Sequence, residues 1–137
     1  MPIKPENRSK YPDDWDEISC RIRIIRAHNR CEICGVVNHS IIHRLKDGSF
    51  RYASAAELDL IYSRKIYSHT SLSESIKYHG FVMVVLTTAH LDHNPENCAD
   101  DNLKAMCQKC HNSYDRAHRN RTIRKSRNVG QMAFYFV

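Results

Sequence analysis

Apolar positions recur along the chain with two different periods. Trp15, Ile18, Ile22 and Ile25 return at helical spacing, which predicts a helix from an N-cap at Asp13 or Asp14 to about Ala27. Arg21, Arg23 and Arg26 fall largely away from that stripe. Before it, Pro2, Pro5 and Pro12 predict an irregular arm over residues 1–12. Residues 41–53 read as a hairpin turning at Asp47-Gly48. Residues 55–79 are ambiguous, with a helix expected around Ala55 to Tyr62 and a serine-rich loop near 68–75. Phe81 to Leu91 is the clearest strand, and its continuous apolar start predicts burial on both sides. Alternation then sets Ala89 and Leu91 on one face, His90 and Asp92 on the other. Asn94-Pro95 ends this strand and opens a loop through Asp101. A last helix carries His111, Asp115 and His118 on one face, and the apolar residues 131–137 read as a short strand docking back.

The length, 137 residues, suits one domain. Hydrophobic content of 42% and charged content of 26% exclude a disordered chain or a fibrous repeat. No apolar run approaches a membrane span; the longest, Phe81 to Leu86, is strand-sized. The start, Met-Pro-Ile-Lys-Pro-Glu-Asn-Arg, lacks an apolar export segment, which predicts a cytoplasmic protein without membrane contact. Four glycines and four prolines leave no flexible linker, so one soluble α+β domain is expected.

Six cysteines change the picture. Cys31/Cys34 and Cys107/Cys110 form two Cys-x-x-Cys pairs, and in a reducing compartment such pairs bind metal rather than form disulfides. Two knuckles complete a closed tetrahedral zinc site, which is structural because it has no open position. Joining segments so far apart in sequence, the ion would staple a domain with a limited core. Gly35, directly after Cys34, supplies turn chemistry. Cys20 is expected to pack on its helix, and Cys98 to be a free thiol in its turn. Cys107-Gln-Lys-Cys110-His111 also fits the c-type haem attachment pattern. The missing export segment and the second Cys-x-x-Cys pair weigh against haem.

Leu91-Asp92-His93-Asn94-Pro95, then Asp101-Asn102-Leu103, then Cys107-Gln-Lys-Cys110-His111 resembles the HNH endonuclease family. His93, Asn102 and His111 would be its three letters. The two Cys-x-x-Cys knuckles make the chain similar to the zinc-containing branch. The resemblance covers residues 15–35 and 82–118. It implies a ββα-metal core at 81–118 holding the second knuckle, after the helix and first knuckle at 13–35. An insertion at 36–80 would separate these parts, and a basic tail at 119–137 would follow. That insertion is not part of the minimal motif, and the loop from His93 to Asn102 is shorter than in some members.

The resemblance further implies metal-dependent hydrolysis of DNA phosphodiester bonds to 5′-phosphate and 3′-hydroxyl ends. His93 would be the general base, since neutral imidazole accepts a proton near pH 7. Asp92 and His111 would hold the divalent ion (magnesium, manganese, nickel or zinc), leaving positions open for water and phosphate. Asn102 would fasten the loop and orient His93 without touching metal. His90 and Asp115 are additional candidates, with structural roles as their competing readings.

Lys and Arg number 21 against 15 Asp and Glu, for a net charge of +6. The excess gathers near the expected site, at Lys104, Lys109, Arg116, Arg119, Arg121 and Arg124, followed by Lys125 and Arg127. Such a strip binds phosphates whatever the base sequence, so duplex DNA with low specificity is the expected partner. A single site facing one strand predicts nicking by a monomer or weak dimer. The alternatives are a non-catalytic zinc-knuckle module that binds nucleic acid and a protein-interaction zinc domain. The Asp92-His93 pair argues against the first, and the basic strip against the second.

Overall fold

Two antiparallel sheets and four helices make an α+β fold, as the pattern predicts. The structure is a computed structural model that describes residues 3–135, with side chains to residue 128. The arm is more ordered than its prolines suggest, because Pro5–Lys10 forms a short 3-10 helix. Helix α1 (Trp15–Cys20) continues into a π-helical turn, Arg21–Arg26. In that turn the Ala27 amide donates to the Ile22 carbonyl at 3.0 Å. The wider turn rotates less per residue and breaks the predicted stripe: Ile22 is fully buried, whereas Ile25 is 70% exposed. Asp14 occupies the cap position without a capping bond from its side chain. Cys20, expected to pack, is exposed.

Strands β1 (Ile41–Arg44) and β2 (Phe50–Tyr52) form the expected hairpin. Its turn is held by the Ser49 amide donating to Asp47 Oδ1 at 2.9 Å, with Gly48 at φ +90°. Helix α2 (Ala55–Tyr67) runs further than expected, and α3 (Leu72–Tyr78) lies where a serine-rich loop was expected. Both start with a capping box, Ser54 with Glu57 and Ser71 with Glu74. These serines satisfy helix amides rather than mark a loop.

The single strand expected from Phe81 to Leu91 is two. Strand β3 (Val82–Met83) pairs with β1, while β4 (Leu86–His90) pairs with β5 (Leu103–Cys107) in a separate sheet. Burial on both sides is also not found: Phe81, Val84 and Leu86 are buried, and Val82 and Val85 are exposed. The apolar run marks the passage between sheets, where opposite faces meet different surroundings. Helix α4 (Gln108–Tyr135) follows β5 directly. Residues 131–135 therefore continue a helix instead of forming a strand, and the docking expected of their side chains lies outside the described residues.

Three apolar clusters hold these elements. Ile22 and Ala27 pack on Leu103 and Ala105, fixing the N-terminal helix against β5. Val36, Ile42, Val84 and Leu86 surround Cys31 and Cys107. Ile41, Ile61, Ile76 and Phe81 form the third cluster, so the 36–80 segment buries its own apolar face beside the first sheet. No helix among the described residues is long and apolar enough to cross a membrane.

Candidate functional site

Sulfur chemistry is the plainest feature. The Sγ atoms of Cys31, Cys34, Cys107 and Cys110 all lie within 4.8 Å of one another. They come from a tight turn and a strand–helix junction. Gly35, at φ +76°, lets its amide reach the Cys31 carbonyl at 2.9 Å, and Arg30 and Val37 bridge behind the turn. Across the gap, the Cys107 amide donates to Cys31 Sγ at 3.4 Å, and the Glu32 amide to the Ala105 carbonyl at 2.9 Å. The Cys107 hydrogen bond, helped by neighbouring amides, pulls the Cys31 thiol down to about 4. Cys107 is pushed up by sharing that proton with Cys31 and by burial. Four sulfurs at this separation, one of them favoured as thiolate, could bind a structural metal such as zinc. Among the described residues this is the one group of three or more metal-ligating side chains so gathered.

The loop between β4 and β5 is held by Asp92 and Asn102. Strand β4 ends at His90, so strand alternation does not govern Asp92. Its Oδ1 accepts from the Asn94 amide and from Asn102 Nδ2, and its Oδ2 from Asn97 Nδ2, each at 2.9 Å. These donors, Asn97 first, hold the Asp92 carboxyl down at about 2. Asn102 also donates to the Asn97 carbonyl at 2.8 Å and accepts from the Asp92 amide at 3.1 Å. The turn leaves His93 at φ +59°, a left-handed conformation in which histidine is enriched among non-glycine residues.

His90, His93, His111 and Asp115 line one cavity of about 240 Å³. Asp115 is central: its Oδ1 is 3.4 Å from His93 Nδ1, and its Oδ2 is 3.1 Å from His111 Nε2. The His93 ring stacks on His118, centroids 4.0 Å apart, and on Tyr114 at 5.5 Å. His111 Nδ1 is 2.9 Å from Thr87 Oγ1, which also lies 3.4 Å from the Met106 carbonyl oxygen. With Nδ1 on Thr87, His111 Nε2 faces the Asp115 carboxylate. A proton or a cation between this nitrogen and the carboxylate would join them. His90 stacks on Trp15 at 4.9 Å and packs edge-on against Tyr11 at 5.7 Å. Burial lowers its pKa despite the Asp92 charge.

The structure thus brings His93, His111, Asp115 and His90 together. The Asp92 carboxylate, expected to hold an ion with His111, accepts hydrogen bonds from Asn94, Asn97 and Asn102 of its own loop, while the carboxylate facing His111 is that of Asp115. The neighbours Thr87, Tyr114 and Tyr11 have no sequence signal, because each reaches the site through tertiary packing. Of the basic residues, Lys109 donates to the Gly48 carbonyl in the hairpin turn, and Lys104 pairs with Ala89 across β4 and β5. Arg116, Arg119, Arg121 and Arg124 are exposed on α4. Comparison with known proteins finds no matching family model, no matching curated protein and no matching solved structure.

Proposed function

We propose that the protein is a metal-dependent endonuclease of the HNH type that nicks DNA, with His93 as general base. One observation carries this reading: a β4–β5–α4 unit presents His93 and His111 to the same cavity with Asp115 between them. With its proton on Nδ1, facing Asp115, His93 offers Nε2 to a water. Nε2 takes the proton as the water oxygen attacks phosphorus, and the bond to the 3′-oxygen breaks. Stacking on His118 and Tyr114 holds the imidazole plane for that transfer. Asn102 fixes the loop that sets the His93 backbone.

His111 and Asp115 are the donors that fit a catalytic divalent ion, whereas Asp92 is occupied by loop amides. Bound there, a magnesium, manganese, nickel or zinc ion would supply Lewis-acid stabilisation of phosphoryl charge. The exposed arginines of α4 extend this site with cations suited to the phosphates of duplex DNA at low sequence specificity. Zinc on the four cysteines would hold α4 to the first knuckle, a structural role. Cytoplasmic location and a monomer or weak dimer are consistent with this reading.

A second reading, a non-catalytic zinc-knuckle module that binds nucleic acid, is favoured by the commitment of Asp92 to its loop. The two separate on conversion of supercoiled plasmid to nicked form with each divalent ion resupplied in turn. Metal-dependent nicking that His93→Ala abolishes while DNA binding persists supports the nuclease. Binding with steep salt dependence and no nicking by wild type with any ion supports the module.

A further inference from the structure

We propose that the groove beyond His111 is a second phosphate subsite, in which Lys4 and Arg23 hold the phosphate next to the one at His93 and Asp115. This inference deepens the nuclease reading, but its phosphate binding stands without catalysis.

The cavity at Asp115 does not end at His111. A second cavity, about 440 Å³, shares Asn7, Tyr11, Thr88 and His111 with it, so the two adjoin and together make a groove along these residues. Lys4 from the arm and Arg23 from the π-helical turn line the second cavity and not the first. The arm is therefore a wall of the groove rather than a loose leader. It is joined to the site through the Tyr11–Trp15 contact, centroids 5.1 Å apart, and the Trp15–His90 stack. The opposite wall is tied to the N-terminal helix by Ser19 and Thr88, whose hydroxyls are 2.9 Å apart.

Charge pairing on that helix singles out Arg23. Arg21 is paired with Asp100 at 2.7 Å, and Arg26 with Glu32 at 2.8 Å. Arg23, half-buried between them, uses Nε to donate to the Ser19 carbonyl at 3.2 Å. Among the described residues no carboxylate lies within 4 Å of the Arg23 guanidinium or the Lys4 ammonium. The π-helical turn explains the placement, since it rotates Ile25 into solvent and leaves Arg23 at the groove. Asp115 contributes negative charge at one end of the groove, so a polyanionic strand needs cations further along it. Two cations on separate elements, lining a cavity that adjoins the histidines, suit a phosphate next to the one at His93 and Asp115.

The test measures binding of a short fluorescein-labelled single strand to the full chain over a salt series, with no divalent ion added. The Lys4→Gln/Arg23→Gln variant should bind more weakly, with a log K against log salt slope shallower by about 0.7, as expected for one phosphate contact on a single strand. Lys65→Gln/Lys77→Gln, a charge-matched control on α2 and α3, should leave the slope higher than that variant does. Arg23→Lys should restore most of the slope. Should the double variant fail to fold, Lys4→Gln alone should make the slope shallower by less than about 0.7. A slope equal to wild type in the folded variants overturns the subsite. On bis(p-nitrophenyl) phosphate, which has no neighbouring phosphate, the double variant should match wild type while losing kcat/KM on the strand. Equal losses on both substrates also overturn it. If wild type cleaves neither substrate, the nuclease reading fails while the slope still decides the subsite. Absence of any strand binding by wild type overturns both.

Discussion

Asp92 and Asn102 bond each other twice: the Asp92 amide donates to Asn102 Oδ1 at 3.1 Å, and Asn102 Nδ2 donates to Asp92 Oδ1 at 2.9 Å. This reciprocal pair closes the loop that carries His93. It gives the Asp92 side chain a part in loop order, and in the proposed mechanism the divalent ion falls to His111 and Asp115 of α4. Asp92→Ala should therefore lower the melting temperature while leaving the divalent-ion affinity of the folded protein close to wild type. Asp115→Ala should weaken that affinity at least tenfold with little effect on melting, because it removes a proposed ligand from a half-buried surface. Calorimetric titration of the zinc-loaded protein with manganese distinguishes them. Equal weakening by Asp92→Ala would return Asp92 to the ion.

Acid sensitivity should have two limbs. Burial against Trp15 and Tyr11 lowers His90 below the ordinary histidine value of 6.5. Its contribution is then fully present above 6.5 and is lost as pH falls through the folded value. Asp92, held at about 2 against an ordinary 3.8, contributes above 3.8 and loses that contribution as pH falls toward 2. His90→Phe should remove the upper limb and leave the lower. Melting temperature against pH for both proteins checks this, and an unchanged upper limb would assign it to another group.

The four cysteines predict a fold that depends on metal. Cys31 and Cys107 lie inside an apolar cluster with Val36, Ile42, Val84 and Leu86, so losing the ion would leave buried thiols at the junction of both sheets. Structural zinc in small domains contributes on the order of 10 kcal/mol to folding. Cys31→Ser, or chelation of wild type, should abolish cooperative unfolding, and mass spectrometry under native conditions should find about one zinc per folded chain. Unaltered cooperative unfolding after metal removal would exclude a structural ion.

How much of this was legible in the sequence depends on how local each signal is. The Cys-x-x-Cys pairs and the Asp47-Gly48 turn follow short-range rules, and the structure keeps them. Ser71-Leu-Ser-Glu74 is an equally local signal, a capping box hidden when the serines near 68–75 are read as loop. Other features depend on distant partners. The apolar run from Phe81 cannot declare that its two ends join different sheets, and nothing local announces the π-helical turn that turns Ile25 outward. The direction of Asp92 was set by Asn97 and Asn102, later in the loop, where strand alternation no longer applies.

Thr87 gives the most specific expectation for the site. Its hydroxyl lies 2.9 Å from His111 Nδ1 and 3.4 Å from the Met106 carbonyl oxygen, and the contact with Nδ1 holds the imidazole with Nε2 toward Asp115. Thr87 touches neither ion nor substrate in the proposed mechanism, so it is a positioning residue. Partners of this kind typically change metal affinity by about 10- to 100-fold. Thr87→Val keeps the β-branched shape favoured in β4 and removes only the hydroxyl. The manganese concentration giving half-maximal nicking should rise by roughly that factor, while the rate at saturating manganese stays near wild type. Thr87→Ser, which retains the oxygen, should restore the wild-type requirement. A purely structural role would lower melting temperature and maximal rate together, with no change in the manganese midpoint, and Thr87 would then serve packing alone.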